Sequence, residues 1–159
     1  MTLKFFRHKA MAVEPLSESE LKVTWQLDDD LLSFTVTLKI QVPEMEIIEA
    51  EAVADRFPPV ECQDAAEKIK MIEGVSVGSG LRKIVKGILG GEKGCSLLVD
   101  AVLECANAVI LHYTRPGIQN LEVVTDPQLK KEALQEMVKA NPRLVRSCIA
   151  FQDDSPIFS

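Results

Sequence analysis

Two cysteines carry the clearest chemical signal in this chain. Cys62 follows Phe57, Pro58 and Pro59 and opens a predicted helix. Cys95 follows Gly90, Gly91 and Gly94 and opens the longest predicted helix, with Lys93 nearby and Arg82, Lys83 and Lys86 upstream. Unpaired N–H groups at a helix N-terminus and neighbouring cations both favour thiolate, the form that binds soft metals or attacks sulfur. The glycines permit positive φ and close backbone approach, which suits an exposed sulfur or a small bound anion. The plainer reading makes both cysteines small apolar residues at element junctions, because free cysteine is among the most buried residue types. Cys105 falls within an apolar helical stripe and reads as core, whereas Cys148 lies in the tail and carries no signal.

Two thiols do not complete a metal site, since structural zinc takes four ligands and catalytic zinc three. His8 sits in a predicted edge strand, and His112 near the end of the third helix reads as a capping or hydrogen-bonded imidazole. Asp28, Asp29 and Asp30 match a hairpin turn and lack the glycine and terminal glutamate of a calcium loop. The sequence contains no P-loop, nucleophile elbow, HExxH or dinucleotide fingerprint, and Gly74, Gly78 and Gly80 lie between helices rather than after a strand. A cysteine nucleophile would need a base beside it, so an enzyme reading requires folding to bring His8 or His112 to a thiol.

The elements that must position these groups follow from periodicity. Leu21, Val23, Trp25 and Leu27 alternate with polar residues, as do Phe34, Val36, Leu38 and Ile40, which predicts an antiparallel hairpin turning at the aspartates. Pro43 and Glu44 mark the next turn, Ile47 to Asp55 gives a third, less regular strand, and Leu3 to Val13 supplies an edge strand. From Cys62 the period becomes helical. The first helix stops at Gly74. The second starts near Ser79, with Leu81, Ile84, Val85 and Ile88 on one side, and stops at Gly90 and Gly91. The third runs from Cys95 to Tyr113, with Leu98, Ala101, Val102, Cys105, Ala108, Val109 and His112 as its stripe, and ends at Arg115, Pro116 and Gly117. Thr125, Asp126 and Pro127 cap a fourth helix ending near Asn141, and the tail is mostly irregular. Strands first and helices afterwards predict an α+β fold: a three- to four-stranded antiparallel sheet covered on one face by about four helices, in one domain over residues 1–159.

The 159 residues, 47% hydrophobic and 26% charged, suffice for a core without disulfides and suit a soluble globular protein. Twenty-four acidic against 18 basic residues give a net charge of −6, which argues against general nucleic-acid binding. No uncharged run of 18 apolar residues occurs, so no membrane span is expected. Without a secretory h-region after Lys4, Arg7 and Lys9, the expected location is cytoplasmic and the thiols reduced.

With these segments in view, the chain from about Leu3 to Tyr113 resembles an uncharacterised bacterial family, the domain of unknown function 2889. Arg56-Phe57-Pro58 followed by Cys62 resembles its Arg-x-Pro segment leading to a cysteine. Gly90-Gly91-Glu92-Lys93-Gly94-Cys95-Ser96-Leu97-Leu98 resembles its Gly-Gly-x-x-Gly-Cys-Thr-His-Leu signature, with Leu97 where the family pattern has histidine. More distantly, the order of elements and the Cys-Ser-x-Leu context are similar to NifU N-terminal-type iron-sulfur scaffolds and SufE-like sulfur acceptors. The scaffold's first cysteine has no counterpart here, and Gly94 stands at the place of a histidine.

The resemblance implies a non-enzymatic protein in which Cys62 and Cys95 converge on a metal or accept sulfur. The implied cofactor is an iron-sulfur cluster or zinc, and the implied partner a sulfur donor or a metalloprotein client, with neither nucleic acid nor membrane. The alternative is a protein- or small-ligand-binding module with structural cysteines.

Overall fold

A computed structural model describes residues 4–56 and 59–158. Four strands come first, β1 (Arg7–Pro15), β2 (Glu20–Asp29), β3 (Ser33–Gln41) and β4 (Glu46–Arg56), followed by helices α1 (Val60–Glu67), α2 (Leu81–Leu89), α3 (Ser96–Glu122) and α4 (Pro127–Ala140). A 3-10 turn, Lys68–Ile72, extends α1 toward Gly74, and two more lie in the tail. Contacts divide the chain into two compact units, Met1–Val109 and Ile110–Ser159. The fold is α+β with a four-stranded antiparallel sheet and four α-helices, as expected.

The strands form a meander in the order β1-β2-β3-β4. Alternation sends one row inward: Leu21, Val23, Trp25 and Leu27 of β2 and Phe34, Val36, Leu38 and Ile40 of β3 are all buried. The irregularity of β4 has a local cause. Ile47 pairs with Ile40 but Glu49 pairs with Lys39, so Ile48 is an extra residue and the inward phase moves from Ile47 to Ala50. Ile69, Ile72, Val85, Leu89, Leu98, Val102, Cys105 and Val109 from the helical half join the same core. Each such buried aliphatic side chain contributes about 1.5–3 kcal/mol over its exposed state.

A polar contact fastens α3 to the sheet. The Trp25 indole N–H donates to Glu104 of α3, and Lys9 of β1 donates to the other carboxylate oxygen at 2.9 Å. Burial raises the Glu104 carboxyl, but the Lys9 ammonium and the indole outweigh it and hold the group below its ordinary value. At the β2–β3 turn, Asp29 is buried and accepts from the Arg7 guanidinium at 2.8 Å and from the backbone N–H groups of Leu31 and Leu32 at 2.8 and 2.7 Å. Burial again opposes the charge, and the Leu31 N–H, Arg7 and the Leu32 N–H lower the carboxyl against it. The aspartate run thus makes the expected turn, with its middle carboxylate turned inward onto Arg7.

Two helical expectations change. On α2 the buried positions are Leu81, Val85 and Leu89, whereas Ile84 is exposed. The third helix does not stop at Arg115; it passes through Pro116 to Glu122. In the turn before the proline, the Thr114 hydroxyl donates to the carbonyls of Ile110 and Leu111 at 2.8 and 3.1 Å. The stretch Ser96–Gly117 is long and apolar enough to cross a membrane by length and composition, and half of it is buried inside the protein. In the second unit, Asp126 caps α4 as expected by accepting from Gln128 and Leu129 N–H, and a methyl group at Gly117 would come within 3.2 Å of Met137 Cγ.

Asp29 and Glu104 both have folded-state pKa values below their unfolded ones. The stability they contribute is fully present above about pH 4 and is lost as pH falls through the lowered folded values. The acid limb of a melting-temperature profile is therefore shallower in Asp29→Asn and Glu104→Gln than in the native sequence. Parallel acid limbs would exclude these carboxylates as the acid-sensitive links.

Candidate functional site

Cys62 lies in the first turn of α1, two residues inside the helix rather than at its opening, and its N–H donates to Pro59 O at 2.9 Å. It is exposed. Cys62 and Ala66 are four residues apart and share one face of the helix. Of the Arg56-Phe57-Pro58 segment, Arg56 ends β4 and pairs with Asp28, while Phe57 and Pro58 lie outside the described residues.

Cys95 is placed by the glycine loop. Gly90 ends α2, and Gly91 turns the chain with φ +78°, a left-handed value that disfavours other residues. Gly94 then passes so close to the end of α2 that an added methyl would collide with the Leu89 and Gly90 carbonyls. That approach lets the Cys95 N–H donate to Leu89 O at 2.7 Å, while Cys95 O accepts from Val99 N–H in the first turn of α3. The Lys68 ammonium donates to Lys93 O and ties the end of α1 to this loop. The glycines thus serve the path of the backbone, and they hold a half-buried Cys95 at the head of α3.

Folding brings the two cysteines to one cavity. Cys62, Ala66, Cys95, Leu97 and Leu98 line it from the helical side, and Leu32, Phe34 and Ala54 from the sheet. Its volume is about 30 Å³, above the roughly 10–15 Å³ that a cavity needs to hold one water. Apart from the sulfurs, the lining side chains are hydrocarbon. The sheet wall is built from residue types that carry no reactive group, and its sequence signal is the inward alternation, which pairs Leu27 with Phe34 and Phe34 with Ala54.

The remaining candidates lie elsewhere. Cys105 is sealed in the core, where burial, with the Glu104 charge adding to it, pushes its thiol up to about 12. Cys148 is exposed in the second unit. His8 pairs with Asp28 and alternates with the inward Lys9, so it faces away from the thiol cavity on the opposite side of the sheet. His112, in the second unit, packs edge-on against Tyr113 with ring centroids 5.5 Å apart. Among the described residues, no group of three or more His, Cys, Asp or Glu is arranged to hold a metal ion. Among the described residues, therefore, no third or fourth His, Cys, Asp or Glu joins Cys62 and Cys95 to make up the ligand number that zinc takes.

Residues 17–111 match a family model described as "Protein of unknown function (DUF2889)". The chain belongs to this family. The DUF2889 segment begins just ahead of β2, contains Cys62, the glycine loop and Cys95, and ends within α3. No curated protein and no solved structure matches the chain. Neither comparison links the chain to NifU-type scaffolds or to SufE-like sulfur acceptors.

Leu97 lines the same cavity as the two cysteines, so a histidine there adds an imidazole to its wall. Leu97→His is expected to create stoichiometric cobalt(II) binding with thiolate-to-cobalt absorption, abolished when Cys95→Ser is added, while the native sequence gives no such band. Equal binding by native protein and Leu97→His would show that the pocket finds its ligands without residue 97.

Proposed function

We propose that this DUF2889 protein is a non-enzymatic sulfur acceptor that takes a sulfane sulfur atom onto Cys62. The observation that carries this reading is the shared cavity: an exposed thiol and a half-buried one line a single atom-sized, hydrocarbon-walled space. Accepting sulfur requires one accessible thiolate, whereas a resident zinc site requires at least three ligands, so the acceptor reading asks of this chain only what it supplies. In the transfer, the Cys62 thiolate attacks the outer sulfur of a donor persulfide. The donor S–S bond breaks, the new S–S bond forms on Cys62, and the donor departs as a thiolate. The donor is then a persulfide-bearing protein and the recipient a metalloprotein client, acting in the cytoplasm, where free thiols stay reduced.

A second reading, a small-ligand-binding module, draws on a groove in the second unit. It measures about 500 Å³, is walled by Val138, Pro142, Val145 and Phe158, and falls in the size range of small-molecule sites. This groove lies outside the matched DUF2889 segment, whereas the thiol cavity lies within it.

Reduced Cys95→Ser protein, the background for the further substitutions, should gain the mass of one sulfur atom on Cys62 when treated with glutathione persulfide. Cys62→Ser should lose most of that gain, and Cys105→Ala should keep it. Equal uptake at Cys62 and Cys148, or uptake unaffected by Cys62→Ser, would contradict the acceptor reading.

A further inference from the structure

Accepting a sulfur atom needs one thiol, yet the cavity holds two. Cys62 is exposed on α1 and meets reagents first, while Cys95 is half-buried, held by its N–H bond to Leu89 O and lining the same space of about 30 Å³. Both side chains line one small cavity, and its hydrocarbon walls offer no competing nucleophile. We propose that Cys95 is the resolving thiol for Cys62, and that the two form a reversible disulfide that discharges and resets the site.

For its first step this inference rests on the acceptor reading. Once Cys62 carries a persulfide, Cys95 attacks the sulfur bonded to Cys62 Cβ. The bond between the two persulfide sulfurs breaks, the Cys62–Cys95 bond forms, and the outer sulfur leaves as hydrosulfide with the proton that Cys95 gives up. The sulfane sulfur is reduced by two electrons and the two thiols are oxidised by two, so no further oxidant is needed. A low-molecular-weight disulfide drives the same closure. The Cys62 thiolate displaces one thiolate from it, and Cys95 then displaces the second from the mixed disulfide. An external dithiol reopens the pair. Cys105 has no part in this exchange, because it is fully buried in the core.

The test uses the full chain, reduced and then treated with oxidised glutathione, quenched in acid and mapped without reduction. The native protein should yield a Cys62–Cys95 linked peptide as the main product, with an intact mass two hydrogen atoms lighter and little retained glutathione. Cys95→Ser and Cys95→Ala should instead hold glutathione on Cys62 in most chains, and Trp25 fluorescence verifies that each variant is folded. Glutathione retained on Cys62 equally in the native protein and both variants would overturn the resolving role. So would a linked peptide joining Cys62 to Cys148. Persulfide uptake on Cys62 in the Cys95→Ser chain that survives those results leaves the acceptor reading standing, whereas its absence there removes both.

Discussion

The thiol cavity depends on how closely the backbone after α2 can approach that helix. Gly94 lies against the carbonyls of Leu89 and Gly90 where no side chain fits, and the 2.7 Å bond from Cys95 N–H to Leu89 O closes the loop. A hydrogen bond of this kind contributes only about 0.5–1.5 kcal/mol. Its structural effect is larger, because it fixes both the first turn of α3 and the position of Cys95. The glycine-rich signature therefore has a mechanical explanation, and it acts on the chemistry indirectly, by placing a sulfur.

The sheet supplies the other constraint. A meander with one apolar face has to be covered, and the residues that cover it belong to the 3-10 turn after α1, to α2 and to α3. The contact of Trp25 and Lys9 with Glu104 sets α3 against β1 and β2. The thiol cavity lies at another part of the same face, where Phe34 and Ala54 provide its floor and the cysteine-bearing segments its cover. Stability and the candidate chemistry thus share one layer of side chains, and a large change at Phe34 or Leu98 affects both.

The strands were legible because their period of two survives almost unbroken from Leu21 to Ile40. Extra residues at Ile48 and Asp55 blur β4. The helical stripe of α3 and the Asp126 cap were legible for similar local reasons. What could not be read from neighbours along the chain depends on distant partners. Arg7 neutralises Asp29, Glu104 answers Trp25, and Thr114 accompanies a proline through which the helix continues. At the site, the two cysteines stood out by their flanking glycines and prolines, and folding does place them on one cavity. Among the described residues no further metal ligands gather around them, and Leu97 contributes hydrocarbon to the cavity wall.

The central claim is that two sulfurs far apart in sequence open onto the same small space. A trivalent arsenical such as phenylarsine oxide tests this directly, since it forms a stable ring only with two thiols that can reach one arsenic atom. Native mass spectrometry of the reduced chain should show one arsenical that survives excess monothiol, and Cys62→Ser and Cys95→Ser should each lose it. Retention by either single variant, or failure of the native chain to hold the arsenical, would contradict the account.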